Sequence, residues 1–179
     1  MTSESIFRRD RVTIVGVLNL TPDSFSDGGR FVDMEERVSV ARAVSAAGEL
    51  VAAGADLLDV GGESTRPGAK PVSPEREIQR VIPVIEALRK RFEVPVSIDT
   101  RNALCARAAL DEGAEMVNDV SGLAHDGTLG EVVAGSGATL VLGHMRGTPE
   151  TMRAHSVYKD VLGEVVLELR EAVERAVTA

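Results

Sequence analysis

The chain has 179 residues, 44% of them apolar, and a formal net charge of −8. This length and this apolar fraction predict one globular domain with a real core, spanning residues 1–179, rather than a disordered chain. The negative charge argues against nucleic acid as a partner, and against an anionic membrane surface. The single cysteine, Cys105, excludes an intrachain disulfide, and we interpret it as a small core residue on a helix.

The first ten residues, MTSESIFRRD, lack the apolar core of a secretory signal. No apolar run approaches the length of a membrane-spanning helix either. We therefore expect a cytoplasmic location and no membrane partner.

The first predicted element is an apolar strand at residues 12–18, which opens at Asn19 into a polar loop reaching about Asp33. An uninterrupted apolar run of this kind is typical of a strand that is buried on both faces. Connections from strand to helix usually take about 2–6 residues. The greater length of this loop favours a functional role.

Four more units of strand, polar tip and helix follow in chain order. Further strands are predicted at 56–60, 94–98, 116–122 and 139–142, and helices at 34–53, from 74 through about 88, 102–112, 129–134 and 158–177. Alternating strands and helices indicate a parallel sheet with right-handed crossovers.

Capping residues support several of these helix boundaries. Asp33 and Glu36 form a capping-box pattern before the first helix, Ser73 precedes a proline at the start of the second, and Thr100 can cap the third. Gly54 and Gly113 are placed to end the first and third helices.

Each strand ends in a polar residue, and in a parallel sheet all these tips lie at one edge. The tips are Asn19, Glu63, Asp99, Asn118 and His144. Two α/β architectures fit five units: an open sheet of the flavodoxin type, or part of a (β/α)8 TIM barrel. Five polar tips favour the barrel, because all its strands converge on one mouth.

A complete barrel typically needs about 250 residues. We therefore expect this chain to be truncated after about five units, with strands six to eight absent. Two unpaired strand edges would be left in such an arc.

Four motifs in order carry a resemblance to a known family. They are NLTPDSFSDGG (19–29), GGESTRPGA (61–69), the pair SIDT (97–100) and NDVSG (118–122), and HMRGTP (144–149). Together they resemble the dihydropteroate synthase family. The resemblance implies a pterin-binding TIM barrel that condenses 6-hydroxymethyl-7,8-dihydropterin pyrophosphate with p-aminobenzoate, giving 7,8-dihydropteroate and pyrophosphate in folate biosynthesis.

On the pyrophosphate side, the resemblance implies that Asn19 binds a Mg²⁺ cofactor. Thr65, Arg66 and Pro67 would form a loop over the substrates, where Arg66 stabilises the pyrophosphate or the benzoate carboxylate through charge-assisted hydrogen bonds. Phe25 would wall the p-aminobenzoate pocket.

On the pterin side, the resemblance implies that Asp99 and Asn118 bind the ring, whose N–H groups suit a carboxylate and an amide. Asp99 would also stabilise the positive charge of a pterin methyl cation, so Asp99 and Arg66 are the expected catalytic residues. Met145 would lie against the ring. His144 is interpreted as a packed residue at the end of its strand.

The family's later tips, Asp-Pro-Gly, Ser-Arg-Lys and Arg-x-His, belong to strands six to eight, which we expect to be absent. We expect the chain to be inactive alone and the longer parent protein to be a homodimer. Two alternatives stay open: a pterin-binding methyltransferase domain, and a non-catalytic paralogue of the synthase.

Overall fold

The computed structural model describes residues 11–21, 31 and 38–179, which form five parallel strands and five helices. The strands are β1 (Val15–Asn19), β2 (Leu57–Gly61), β3 (Val96–Asp99), β4 (Met116–Asp119) and β5 (Thr139–Leu142). The helices are α1 (Val40–Ala52), α2 (Pro74–Arg91), α3 (Ala103–Asp111), α4 (Leu129–Ser136) and α5 (Val161–Thr178), with a short 3₁₀ helix at Met152–His155.

The strands lie side by side in chain order, β1-β2-β3-β4-β5, and every neighbouring pair is parallel. A flavodoxin-type sheet has the order 2-1-3-4-5, which would place β1 inside the sheet. Sequential order is the order of a (β/α)8 barrel wall. The topology therefore decides between the two predicted architectures in favour of the barrel type.

The strand register places the candidate residues in one row. Asn19 pairs with Gly61, Gly61 with Asp99, and Asp99 with Asn118. Because successive side chains of a strand point to opposite faces, these four residues share one face. The row lies at the carboxyl ends of the strands, where the sequence predicted that the polar tips would meet.

The main core lies between the sheet and its helices. Val81, Ile85 and Leu88 of α2 are fully buried there, as the apolar spacing of this helix predicted. The buried face of α2 was incompletely predicted, since Glu77 and Arg80 are buried as well. Cys105 is fully buried on α3, which confirms its interpretation as a core residue. In the described part of the chain, no helix has the length and apolarity needed to cross a membrane.

Strand β1 departs from its prediction. Gly16 and Leu18 are buried against the helices, but the side chains of Val15 and Val17 are 42% and 50% exposed. Two-sided burial was therefore wrong for this strand, because the face that carries Val15 and Val17 has little cover among the described residues. The apolar run therefore did not predict the exposure of Val15 and Val17 on that face.

The predicted helix starts match the structure for α2 and α4 and to within one residue for α3, but differ for α1 and α5. Helix α1 begins at Val40 rather than at residue 34, and the capping-box pair Asp33 and Glu36 lies outside the described residues. Ser73 caps α2 as predicted, its Oγ accepting a hydrogen bond from the Arg76 N–H at 3.4 Å. Gly54 and Gly113 follow α1 and α3 with φ angles of 102° and 94°, which confirms them as helix-ending residues.

Helix α3 is capped from another part of the chain. Thr100 was expected to cap it, but the Thr100 Oγ1 accepts from the N–H of Asn102, one residue before the helix. The first helical N–H, that of Ala103, donates instead to Asp126 Oδ2 at 2.9 Å. The sequence could not show this cap, because Asp126 lies 23 residues further along.

Candidate functional site

The site is built around an opening over Gly61. A Cβ atom at Gly61 would lie 3.5 Å from Asn19 Oδ1 and 3.5 Å from Asp99 Oδ2. The amide oxygen from β1 and the carboxylate oxygen from β3 therefore converge on the space that the glycine leaves free. The predicted residues Asn19 and Asp99 are neighbours in this arrangement.

Asp99 sits in an environment that disfavours its charge. Burial, and after it the negative charges of Asp59 and Glu77, raise the pKa of Asp99 to about 8. Its Oδ1 atom has no hydrogen-bond partner among the described residues. A buried carboxyl oxygen without a partner is rare in proteins and is a candidate for binding a ligand that donates hydrogen bonds.

Asp59 is a site residue that the motif reasoning missed. It lies in β2 two residues before Gly61, on the same face, and its Oδ2 accepts a hydrogen bond from Asn118 Nδ2 at 3.2 Å. Burial raises the pKa of Asp59, and its Oδ1 has no hydrogen-bond partner in the described part of the chain. The two-residue spacing from the glycine tip was the available signal.

The loop after β2 lies close to Asn19 at the carboxyl end of the sheet. A pocket of about 80 Å³ is lined by Asn19, Thr21, Ser64, Thr65 and Arg66. It brings the expected metal ligand together with two of the three expected loop residues, while Pro67 is exposed one position beyond. The pocket is polar and carries a guanidinium, so an anion or a hydrated cation suits it.

A larger cavity of about 600 Å³ adjoins this pocket through Thr21 and Ser64. It is lined further by residues 68–73 of the loop and by Arg76 and Arg80 of α2. The loop therefore separates two cavities, and Gly68 at its outer end donates its N–H to the carbonyl of Pro149 at 2.7 Å. This bond joins the tips of β2 and β5.

The tip of β5 is fixed to α5 by charged side chains. The Nε2 of His144 lies 2.6 Å from Glu168 Oε2. Arg146 binds Glu168 as well, and its guanidinium carbon lies 4.1 Å from the centre of the Tyr158 ring. These contacts, first that with Arg146, lower the pKa of Glu168 to about 2. They support the interpretation of His144 as a packed residue at the strand end.

Two other expected residues have different outcomes. Met145, which follows His144 in the sequence, is half-buried and lies at the same end of the sheet as Asp99 and Asn118. Phe25, expected in the wall of the p-aminobenzoate pocket, lies outside the described residues.

The oxygen atoms over Gly61 suit a hard cation. Mg²⁺ is usually held by one or two protein oxygens together with waters and substrate phosphates, rather than by a full protein cage. The Asn19 Oδ1 atom is an oxygen donor of this kind. Among the described residues there is no group of three or more His, Cys, Asp or Glu side chains that could hold a metal ion.

The sequence is similar to those of known proteins over most of its length. The sequence profile of a family described as "Pterin binding enzyme" matches residues 15–179. The dihydropteroate synthase of Escherichia coli strain K12 is 46% identical over 162 residues, covering 90% of this chain and 55% of the relative. The chain thus spans about half the length of the curated relatives it matches.

Solved structures agree with this result. A Yersinia pestis dihydropteroate synthase, solved with a sulfonamide drug complex, superposes with a TM-score of 0.86 at 38% identity, covering 96% of this chain and 60% of that one. The Xanthomonas albilineans enzyme, solved with 4-aminobenzoic acid, gives a TM-score of 0.79 at 42% identity, with 95% and 57% coverage.

Proposed function

We propose, from the premise that this chain belongs to the family of pterin binding enzymes, that its β1–β5 sheet forms part of the active site of a dihydropteroate synthase. The observation that carries the proposal is the row of Asn19, Gly61, Asp99 and Asn118 at one end of the sheet. In this row, Asn19 Oδ1 and Asp99 Oδ2 converge over Gly61, beside a pocket that is lined in part by Arg66.

The proposed reaction is a substitution at the methylene carbon of 6-hydroxymethyl-7,8-dihydropterin pyrophosphate. The bond from this carbon to the pyrophosphate oxygen breaks, and pyrophosphate leaves with the electron pair. The amine nitrogen of p-aminobenzoate then bonds to the carbon and loses a proton. Negative charge grows on the leaving group and positive charge on the pterin, so the site must stabilise both.

Asn19, Thr65 and Arg66 would bind the leaving pyrophosphate. All three line one pocket, and a guanidinium forms strong hydrogen bonds with phosphate oxygens. Mg²⁺, when bound, would neutralise pyrophosphate charge, and the Asn19 amide oxygen is its proposed protein ligand. Pro67, next in the loop, and Phe25 would border the p-aminobenzoate, a ligand for which the Xanthomonas albilineans structure is a precedent.

Asp99 and Asn118 would bind the pterin ring, with Met145 against its face. Asp99 Oδ1 is buried without a hydrogen-bond partner in the described part of the chain, so a ring N–H would satisfy it. The carboxylate form accepts two such bonds and also favours positive charge on the ring. Asp99 therefore acts by electrostatic stabilisation rather than by proton transfer.

The binding half of this proposal is tested by calorimetric titration of the 179-residue chain with the pterin pyrophosphate. Because the ionised form of Asp99 binds the ring and its pKa is about 8, the affinity should rise about tenfold per pH unit below pH 8 and then level off. Asp99→Asn should weaken binding and flatten the pH profile. The control Asp111→Asn changes an exposed acid on α3 and should leave both unchanged.

The catalytic half is tested with a chimera in which residues 15–179 replace the matching segment of the Escherichia coli enzyme. We expect it to form dihydropteroate and to lose at least about tenfold in kcat with Arg66→Ala, while the 179-residue chain alone forms none. A folded chimera that binds the pterin without turnover would favour the non-catalytic paralogue. Methyl transfer from a methylated folate would favour the methyltransferase alternative.

The homodimer, the cytoplasmic location and the lack of nucleic-acid and membrane partners stay predictions. Each belongs to the proposed longer protein. Sedimentation of the intact protein would test the first of them.

A further inference from the structure

The base of the loop after β2 is closed by one buried carboxylate. Glu63 Oε1 accepts hydrogen bonds from the Val72 N–H at 3.0 Å and from Arg101 Nη2 at 3.0 Å. Its Oε2 accepts from Arg101 Nε at 2.7 Å. Glu63 thus joins the two ends of the segment 63–72, which includes Thr65 and Arg66.

The Glu63–Arg101 ion pair is buried, and its geometry matters as well as its charge. Both side chains are only 4% exposed. Burial opposes the charge on Glu63, but the hydrogen bonds from Arg101 and Val72 outweigh it and hold the pKa of Glu63 below its usual range. The planar guanidinium matches both carboxylate oxygens at once, a geometry that lysine cannot supply.

Arg101 is itself held by a series of hydrogen bonds on the side away from Glu63. A guanidinium only donates, so its Nη1, 3.1 Å from His125 Nδ1, requires that this nitrogen accept. The imidazole proton is then on Nε2, which donates to Asn102 Oδ1 at 3.2 Å. Asn102 Nδ2 continues to Glu77 Oε2 at 2.7 Å. This series of hydrogen bonds therefore connects the loop base to the first turn of α2.

The other side of the loop base packs directly on α2. A Cβ atom at Gly62 would lie 2.7 Å from Val81 Cγ1 and 3.0 Å from Glu77 Cγ, so only glycine fits. Arg80 Nη1 donates to the Gly62 carbonyl at 2.8 Å. The base cannot shift without moving the helix.

We propose that Glu63, Arg101 and His125 are positioning residues, which hold the 63–72 segment so that Thr65 and Arg66 face Asn19. The inference rests on the proposed function for its catalytic meaning. We call the Glu63–Arg101 ion pair, with His125 behind it, the anchor. Its geometry is specific to the loop, because the Glu63 carboxylate joins residues 63 and 72 while the strands are held by their own parallel pairing. Loss of the anchor should therefore misplace Arg66 and leave the sheet intact.

Amide hydrogen exchange, measured by NMR on the 179-residue chain, tests the anchor without any need for activity. In Arg101→Lys, which keeps the charge and loses the planar fork, the amides of Val72 and of the non-proline residues in 64–70 should exchange at least tenfold faster than in Arg107→Lys. Arg107 is exposed on α3, the helix that follows Arg101, and is the matched control. Amides of β3 should exchange alike in both variants.

Two results of this experiment would overturn the inference. One is equal exchange of the loop in both variants. The other is a parallel increase in the loop and in β3, which indicates a general loss of stability. If Arg101→Lys does not fold, His125→Phe removes the support behind Arg101 and keeps the ion pair, and the same comparison applies.

A second readout connects the anchor to binding. Inorganic pyrophosphate with Mg²⁺ is titrated into each variant, and the shifts of the Thr65 and Arg66 amides are followed. We expect the dissociation constant to rise at least tenfold in Arg101→Lys and to stay constant in Arg107→Lys. Equal affinity in the two variants would refute the inference. Binding away from Thr65 and Arg66 in the wild type would instead count against the proposed function, and the exchange result would still decide the anchor.

Discussion

Asp59 lies on the floor of the candidate site, where its carboxylate has two effects on its neighbours. Its Oδ2 accepts from Asn118 Nδ2, which fixes the orientation of that amide and leaves the Asn118 oxygen directed elsewhere. Its charge is also the first of the electrostatic contributions, after burial, that raise the pKa of Asp99. One unassigned side chain therefore influences both residues proposed to bind the ring.

The variant Asp59→Asn tests this influence at the level of a single group. Removing the nearby charge should lower the pKa of Asp99 from about 8, since the ionised form then meets less repulsion. Titration of the Asp99 carboxyl carbon by NMR measures the change. Asp56→Asn is the control, because Asp56 lies just before β2 and is bound to Arg11. An unchanged Asp99 pKa in Asp59→Asn would refute the coupling.

Among the secondary structure elements, α3 depends most clearly on a distant residue. Its first N–H has its acceptor on Asp126, and Asp126 Oδ1 in turn accepts from the backbone N–H and hydroxyl of Thr128. A helix N-cap acceptor typically contributes about 1 kcal/mol. The turn before α4 thus stabilises the start of α3.

Asp126→Ala should lower the free energy of unfolding by about 1 kcal/mol, because the Ala103 N–H loses its acceptor. Urea denaturation followed by circular dichroism measures this difference. Asp111→Ala, at the exposed end of the same helix, should change it by less than about 0.5 kcal/mol. Equal effects of the two variants would show that Asp126 is not the cap.

Two glycines offer a second test at the scale of elements. A Cβ atom at Gly143, just after β5, would lie 2.6 Å from the backbone Cα of Val120, which cannot move aside. Gly135 in α4 has nothing within 4 Å of the same position. Gly143→Ala should therefore destabilise the fold by about 1–3 kcal/mol, and Gly135→Ala should stabilise it by about 0.5–1 kcal/mol. Chemical denaturation of both variants would contradict this account if the signs were the same.

The sequence predicted some elements well for identifiable physical reasons. The β5 prediction, residues 139–142, coincides with the strand, because Gly137 ends α4 and Gly143 follows the apolar run. Strand β1 was predicted with the wrong burial, since an apolar run does not reveal which face has a neighbour. Asp59 was missed because its role depends on contact with Asn118, 59 residues away.

Across the whole molecule, buried carboxyl groups set the dependence of stability on pH. Burial raises the pKa values of Asp59, Glu77 and Asp99. Groups of this kind bind a proton more tightly in the folded chain, so their stabilising effect is complete below about pH 4 and is lost as the pH rises through the folded pKa. Glu63, whose pKa is lowered, acts in the opposite direction at acid pH.

The melting temperature should therefore be highest near pH 5 and fall by at least about 3 °C by pH 8.5. Asp99→Asn removes one of the responsible groups, so its melting temperature should exceed that of the wild type by a margin that grows with pH. Differential scanning calorimetry across this range measures both curves. A margin independent of pH would show that Asp99 does not titrate in the folded chain.

The single row formed by Asn19, Gly61, Asp99 and Asn118 also bears on how the gene can vary. Side chains alternate along a strand, so the deletion of one codon within β2 or β3 would exchange the two faces of that strand. Leu58, Val60 and Ile98 would then be at the mouth, and Asp59 or Asp99 would be forced into the apolar core. Insertions and deletions should accordingly be excluded from the strands, even where single substitutions survive, and be confined to the connecting loops.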